Sequence, residues 1–428
     1  MLPEGWQRKP LSDCAKFVSG GTPNKDTPEF WGGDFPWVSA RDMKQLWLDG
    51  SALTLTEAGR ARARTVPPGA VLVLTRGMTL LKDLPVSIAS TEVAFNQDVK
   101  ALLPAVGIDS GFLAYQLIAN KNSILDLVDT AGHGTGRLDT SLLKDFSIDI
   151  PPKAEQQRIA AALAAWDTAI RTIEHLLVNT RKQKMSLLSR VLRTPAAVTE
   201  IADRNRSGST PPSVRAGIPK LPATPAGWSR TGLGAHLQEV NRPVVLKSER
   251  EYTLVTVKRS RGGVQKRAVL RGSEVKTSSQ FIVKAGDFLI SKRQIVHGAC
   301  GIVPLELDGA VVSNEYAVLN TDGKIDLAFL RYLSESIYFQ QTCFHSSIGV
   351  HVEKMLFKTE RWLAWPFNIP PLTEQRRIVQ ILDAATAEIA GIELQLEALK
   401  LEKHALMQQL LTGKRRVHQP KLAEAAHA

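Results

Sequence analysis

Ile150-Pro151-Pro152-Lys153-Ala154-Glu155-Gln156-Gln157-Arg158-Ile159 opens a stretch that returns 219 residues later as Ile369-Pro370-Pro371-Leu372-Thr373-Glu374-Gln375-Arg376-Arg377-Ile378. The offset holds without a gap for over forty positions, bringing Leu163 onto Leu382, Ile170 onto Ile389, Leu177 onto Leu396 and Lys184 onto Lys403. A proline pair ends the preceding strand or loop, and an acidic residue follows in the first turn, where the helix dipole favours it. No proline occurs again before Pro195 in the first copy or before Pro420 in the second. The apolar residues Ile159, Leu163, Trp166, Ile170, Ile173 and Leu177 step by four and three, as do Ile378, Leu382, Ala385, Ile389, Ile392 and Leu396. That is a heptad seam, and each copy is expected to be one helix about 66 Å long. A stripe this long and narrow needs a partner, and the other copy is the natural one; packing of each stripe on its own globular domain is the plainer alternative.

The regions between the helices are related too. Gly69-Ala70-Val71-Leu72-Val73-Leu74-Thr75-Arg76 aligns with Gly286-Asp287-Phe288-Leu289-Ile290-Ser291-Lys292-Arg293 at an offset of 217 residues. The same offset matches Trp37-Val38-Ser39-Ala40-Arg41 with Leu254-Val255-Thr256-Val257-Lys258, Phe112-Leu113-Ala114-Tyr115 with Phe329-Leu330-Arg331-Tyr332, and Gln97-Asp98 with Asn314-Glu315. The chain therefore reads as a tandem duplication, globular unit then helix, twice. The expected divisions are a first unit at 1–149, a long helix at 150–193, a Pro/Ser-rich linker at 194–221, a second unit at 222–368, a second helix at 369–416 and a frayed tail at 417–428. A linker of about 27 residues could return the full helix length only near its extended limit, so the helices are expected to lie antiparallel, with the globular units at opposite ends. The fold class this implies is α+β: two pseudo-symmetric mixed α/β units and a pair of long antiparallel coiled-coil helices.

Composition narrows the function. The chain of 428 residues carries a net charge of +12, which suits a partner rich in phosphate. Cys14, Cys300 and Cys343 are odd in number and far apart, so neither a disulfide framework nor a metal pair is expected, in keeping with a reducing cytoplasm. No apolar run of membrane-spanning length and no signal peptide is seen. The sequence has no Gly-x-x-x-x-Gly-Lys-Ser/Thr phosphate loop, no Asn/Asp-Pro-Pro-Tyr/Phe methyltransferase motif and no Gly-x-Gly-x-x-Gly after a strand. His345 and His351 lack partner ligands, and no paired carboxylate site emerges; no catalytic and no metal-binding residue is assigned.

What remains is a basic and polar inventory. Arg76 and Arg293 follow matching strands and suit either a phosphate or base contact or a structural ion pair. Lys258-Arg259-Ser260-Arg261-Gly262-Gly263 is a basic turn suited to phosphate. Ser19-Gly20-Gly21-Thr22-Pro23-Asn24-Lys25 combines small residues with donors. Asn96-Gln97 and Ser313-Asn314 carry amides that could read adenine or simply pin a turn. Arg60, Arg62 and Arg64 read better as a solvated face, and His133-Gly134-Thr135-Gly136 as a glycine-rich, DNA-facing or structural loop. The candidate DNA-contacting set is Thr22, Lys25, Arg41, Arg76, Asn96, Gln97, Arg137, Lys258, Arg259, Arg261, Lys292, Arg293, Asn314 and Lys354. The candidate helix–helix set is the two apolar stripes. Lys184 and Lys403, on the same seam, suit register selection or a partner carboxylate, or else snorkel at a fraying end.

Taken together, the doubled Pro-Pro-x-x-Glu-Gln-x-x-Ile helix, Pro3-Glu4-Gly5-Trp6, Ser19-Gly20-Gly21-Thr22-Pro23, Phe95-Asn96-Gln97-Asp98, Gly301-Ile302-Val303-Pro304 and Val312-Ser313-Asn314-Glu315-Tyr316 resemble the conserved regions of specificity subunits of type I restriction–modification systems. The resemblance spans essentially the whole chain. It implies two target recognition domains that each read one half of a split, asymmetric DNA sequence, with the long helices as a ruler for the unread spacer. It also implies that the chemistry lies elsewhere: two copies of an adenine methyltransferase (modification) subunit with S-adenosylmethionine, and restriction subunits with ATP and Mg. One departure is that the second unit has Glu239-Val240-Asn241-Arg242-Pro243 where the first has the Ser-Gly-Gly-Thr-Pro loop. Two other classes of function compete with this one. A coiled-coil scaffold would bind proteins without selecting DNA, and a self-contained DNA-modifying enzyme would need a cofactor motif.

Overall fold

The computed structural model describes residues 2–131, 134–194, 217 and 220–417. The expected tail apart from Val417 and nearly all of the expected linker lie outside the described residues, as does His133 of the glycine-rich loop. Two compact units emerge, Met1–Glu174 with Leu394–Ala428, and His175–Glu393. The long helices run Lys153–Val191 and Leu372–Leu410, 39 residues each. Each is therefore about 58 Å long, shorter than the expected 66 Å. Pro151-Pro152 and Pro370-Pro371 lie outside the helices because proline offers no N–H to a helix interior.

In the first unit, Gln7–Pro10 pairs antiparallel with Ser147–Ile150 and joins the two ends of the globular part just before the helix begins. Its main sheet has the order Ala15–Ser19, Val99–Pro104, Val71–Leu74, Val86–Ala89, Trp47–Leu48. A second sheet has the order Leu53–Leu55, Trp31–Val38, Val93–Phe95, Thr65–Val66. Val71-Leu72-Val73-Leu74 is buried at every position, as a strand covered on both faces must be.

The second unit repeats the plan. Ser229–Gly232 pairs with Pro366–Ile369, and the main sheet has the order Leu237–Glu239, Tyr316–Thr321, Phe288–Ser291, Cys300–Ile302. Its second sheet has the order Pro243–Val244, Gln280–Ile282, Val311–Ser313, Glu251–Val257, Val264–Arg271. At the centre of the second sheet the equivalence holds to the residue. Trp37 lies opposite Ala94 in a parallel pair, and Leu254 lies opposite Val311 in a parallel pair. Gly69 and Gly286, which open matching strands, both adopt the left-handed region at φ 85° and 88°.

The repeated Glu-Gln of the helix start explains itself. Gln156 and Gln375 are each 1% exposed. Gln156 Oε1 accepts from the Asp109 backbone N–H, and its Nε2 donates to the carbonyls of Gly107 and Pro151. Gln375 does the same with Asp326, Lys324 and Pro370. Asp109 and Asp326 are the N-caps of the helices Ser110–Ala119 and Leu327–Glu335. One amide thus locks the long helix to the loop that starts the helix packed against it.

The two long helices run antiparallel within each unit. In the first, Asp167 meets Lys403, Glu174 meets Lys400 and Glu155 meets Arg416. In the second, Arg181 meets Glu393, and Leu188 and Leu192 share a core with Ile378 and Leu382. Ile159 and Leu163 pack with Met407, Leu410 and Leu411, and also with Trp6, Phe112 and Tyr115 of the globular part. The start of the stripe therefore serves both of the packings considered from sequence. Ile170, Leu177, Ile392 and Leu396 are buried, while Trp166, Ile173 and Ile389 are half-buried. The seam lysines are not frayed. Lys403 lies over the Tyr115 ring and 2.5 Å from Asp167, and Lys184 lies over the Tyr332 ring and 3.1 Å from Glu335. Each copy's lysine serves the opposite copy's tyrosine, as antiparallel pairing requires.

Candidate nucleic-acid interface

In the first unit, the glycine loop after Ala15–Ser19 is pressed onto the turn after Val93–Phe95. Gly21 N–H donates to the Phe95 carbonyl, and a Cβ on Gly20 would lie 2.3 Å from the carbonyl oxygens of Phe95 and Asn96. The Thr22 hydroxyl donates to Gln97 Oε1 at 2.6 Å, which leaves the exposed Gln97 NH₂ facing outward as a donor. Asn96 takes the other role foreseen for such amides. It is buried, and its Nδ2 donates to Asp98 within the turn. Lys25 and Arg41 are exposed.

Arg76 and Arg137, 61 positions apart in sequence, become direct cross-strand neighbours in the small sheet Val128–Ala131, Thr135–Leu138, Arg76–Gly77. Both are exposed, and neither has an ion-pair partner among the described residues. Asp129 lies opposite Arg137 on the other side. The carboxyl of Asp139 is held below its ordinary value mainly by hydrogen bonds from Ser141, with a smaller contribution from Arg137. Like charges placed directly opposite destabilise a sheet, and a bound anion relieves that cost.

The second unit treats the equivalent positions differently. Arg293 forms an exposed ion pair with Glu315 at 2.6 Å, the structural alternative foreseen for it, and Lys292 lies 3.5 Å from Glu239. Arg259 pairs with Glu353 at 2.8 Å. Arg261 is half-buried, and its charge acts to lower the thiol pKa values of Cys300 and Cys343, so it faces the interior. Burial dominates at Cys300 and pushes its pKa up to about 11. Asn314, Lys258 and Lys354 are exposed. Arg60, read from sequence as part of a solvated face, is held by Glu92 and by the Phe35 ring.

Sequence reasoning passed over the strand Val264–Arg271, which borders only Glu251–Val257 and so forms a sheet edge. A bulge between Leu254 and Val255 leaves Arg267 unopposed beside Lys266, both exposed. Arg267, Lys276, Ser313 and Tyr316 line a shallow groove of about 320 Å³ on this sheet. Gln265-Lys266-Arg267 was visible in sequence, but the bulge that turns Arg267 outward was not. Among the described residues, no group of three or more His, Cys, Asp or Glu side chains is placed to hold a metal, and no helix is long and apolar enough to cross a membrane.

The family described as Type I restriction modification DNA specificity domain matches residues 3–179 and 246–401, well over half of the chain. The EcoR124I/EcoR124II specificity subunit of Escherichia coli is 31% identical over 39% of this chain and 42% of its own length. The MjaIX specificity subunit of Methanocaldococcus jannaschii is 28% identical over 44% and 42%. These alignments thus span less than half of those relatives. The MjaVIII specificity subunit of the same organism is 22% identical over 97% of this chain and 94% of its own. Among solved structures, a chain from a study of type I R-M system assembly superposes with a TM-score of 0.60 at 16% identity, covering 97% of this chain and 100% of the other. A type I restriction-modification S subunit from M. genitalium superposes at 0.52 with 13% identity, covering 95% and 96%.

Proposed function

The chain belongs to the type I restriction modification DNA specificity family, and from that premise we propose that it is the DNA-reading subunit of such a system, with no catalytic step of its own. Each unit reads one half of a split, asymmetric target in double-stranded DNA. Modification subunits, in two copies, and restriction subunits assemble on it in the cytoplasm and carry S-adenosylmethionine, ATP and Mg. The observation that carries this reading is the family match in both halves of a chain whose halves repeat one two-sheet plan, with the same residue pairing at the centre of the second sheet. The exposed Arg76–Arg137 pair, which has no ion-pair partner among the described residues, supports it on the first unit, and the exposed Lys258, Lys266, Arg267 and Lys354 support it on the second. Lysine and arginine contacts to phosphate give salt-sensitive affinity and register, and a few side chains per unit discriminate bases.

The test is binding of the chain, assembled with its methyltransferase partner, to its mapped methylation target and to scrambled DNA across a salt series. A preference on the order of a thousandfold and a linear fall of log affinity with log salt are expected. Equal retention of target and scrambled DNA would overturn the reading in favour of a protein-binding scaffold.

A further inference from the structure

The second unit carries a short hairpin beside its main sheet. Ser347–Ile348 and Leu356–Phe357 form a hairpin whose base is joined to the main sheet by a Phe357 N–H bond to the Lys292 carbonyl. The first unit has the same device, with Leu138 N–H bonded to the Thr75 carbonyl beside the Arg76–Arg137 pair. In the second hairpin Gly349, at φ 153°, brings the two arms together, since a Cβ there would lie 3.0 Å from Met355 Cα. Val350, immediately after it, is 96% exposed, and Ile348, immediately before it, is 47% exposed.

The loop that carries this apolar tip is fastened through one carboxylate. The Glu353 carboxylate accepts from Arg259 at 2.8 Å and lies 3.3 Å from His297 Nε2. The turn that bears Arg259 is itself fixed to the same place: Ser260 N–H donates to the His297 carbonyl at 2.7 Å, and Arg261 N–H donates to Gly298 at 2.8 Å. Ser260 and Arg261 hold φ values of 55° and 58°, which non-glycine residues adopt only when their surroundings impose them. Three segments are thus held together, and the exposed valine is accompanied by the exposed cations Lys258 and Lys354 and by the Arg259–Glu353 ion pair. Two apolar side chains with two cations unpaired among the described residues do not make a protein-docking patch, which needs a broader apolar surface. They match the major groove, where anionic phosphates flank the one apolar group on the base edges, the thymine methyl.

Resting on the DNA-reading role above, we propose that Val350 is a base-reading residue of the second unit, packing against a thymine methyl in the major groove. Lys258 and Lys354 take the neighbouring phosphates, and Glu353 is a positioning residue that aims the hairpin through Arg259. The experiment uses the chain with its methyltransferase partner and a set of target duplexes in which each thymine of the mapped target is replaced in turn by deoxyuridine, which removes only the 5-methyl group. For the wild type, one position in one half-site should weaken binding severalfold. In V350A that same replacement should have no effect, while affinity for scrambled DNA stays unchanged. E353Q should keep the deoxyuridine effect but shrink it, since the aim of the hairpin is loosened. Val350 is fully exposed, so V350A is expected to fold and melt as the wild type does. If the wild type separates target from scrambled DNA but V350A gives the same deoxyuridine profile, this inference fails and the DNA-reading role stands. If the wild type shows no preference at all, the DNA-reading role itself fails.

Discussion

Gln156 and Gln375 illustrate how one side chain can hold a junction. Each is buried and makes three hydrogen bonds to backbone groups at the point where a long helix meets the loop before a packed helix. Replacing Gln156 by Ala leaves those buried groups unpaired, so a loss of roughly 2–4 kcal/mol is expected in denaturant unfolding, and Gln375→Ala should cost about the same. A change at the exposed Gln157 should cost almost nothing. The sequence showed that these positions repeat, and it suggested a role for the acidic residue. It did not show that the neighbouring amide makes the closure, because two of the three partners of each glutamine lie some fifty residues away. His297 carries a different signal. Burial is the main cause that lowers its pKa below the ordinary 6.5; Glu353 opposes this, and Arg259 adds to it. Well above pH 6.5 the ring is neutral in both folded and unfolded chains and costs nothing. As pH falls below 6.5 the unfolded chain takes up a proton that the folded chain resists, so stability declines until the folded ring is protonated too. Urea midpoints between pH 8 and 5.5 should show this decline in the wild type, and His297→Gln should flatten it.

Among the elements, the small sheet of the first unit and the long helices invite opposite experiments. Arg76 and Arg137 are opposed like charges without a described ion-pair partner. Arg76→Gln should therefore raise the thermal stability of the free chain slightly, by a few tenths of a kcal/mol to about 1 kcal/mol. It should also weaken DNA binding and reduce the salt slope by about one. A variant that loses both stability and binding would mean that the pair is structural. On the helices, Lys403 and Asp167 are half-buried at 2.5 Å, whereas Arg181 and Glu393 are largely exposed. A double-mutant cycle should give a coupling of about 1–3 kcal/mol for the first pair and under about 1 kcal/mol for the second. The heptad spacing located Lys184 and Lys403 on the seam. The tyrosine and carboxylate that receive each lysine come from elsewhere in the chain, and only the packed structure names them.

At the scale of the whole molecule, the first unit is closed by residues that come last in the described chain. Met407, Leu410 and Leu411 complete the core around Trp6, Phe112 and Ile159, Arg416 forms two hydrogen bonds to the buried Glu155, and the Leu411 carbonyl accepts from Gln116. A chain ending at Glu393 should therefore lose the first unit and keep much of the second. Limited proteolysis is expected to degrade residues 1–174 rapidly while a fragment from 175–393 persists. Equal resistance of both units would contradict the closure of the first unit by Met407, Leu410 and Leu411.

The duplication, the two long helices, their stripes and the absence of the familiar catalytic loops could all be read from the residues, because periodicity and repetition are local properties of a chain. The parallel strand pairing in each second sheet was not legible, because it joins strands more than fifty residues apart. The fate of individual polar groups could not be read at all. Arg76 and Arg293 occupy matching positions, yet one faces another arginine and the other a glutamate. Asn96 is buried where Gln97 is exposed, and Arg261 turns inward where Arg259 turns outward. Burial and ion pairing depend on which distant segments fold against a residue, and the two halves keep the same scaffold while surrounding those positions with different neighbours.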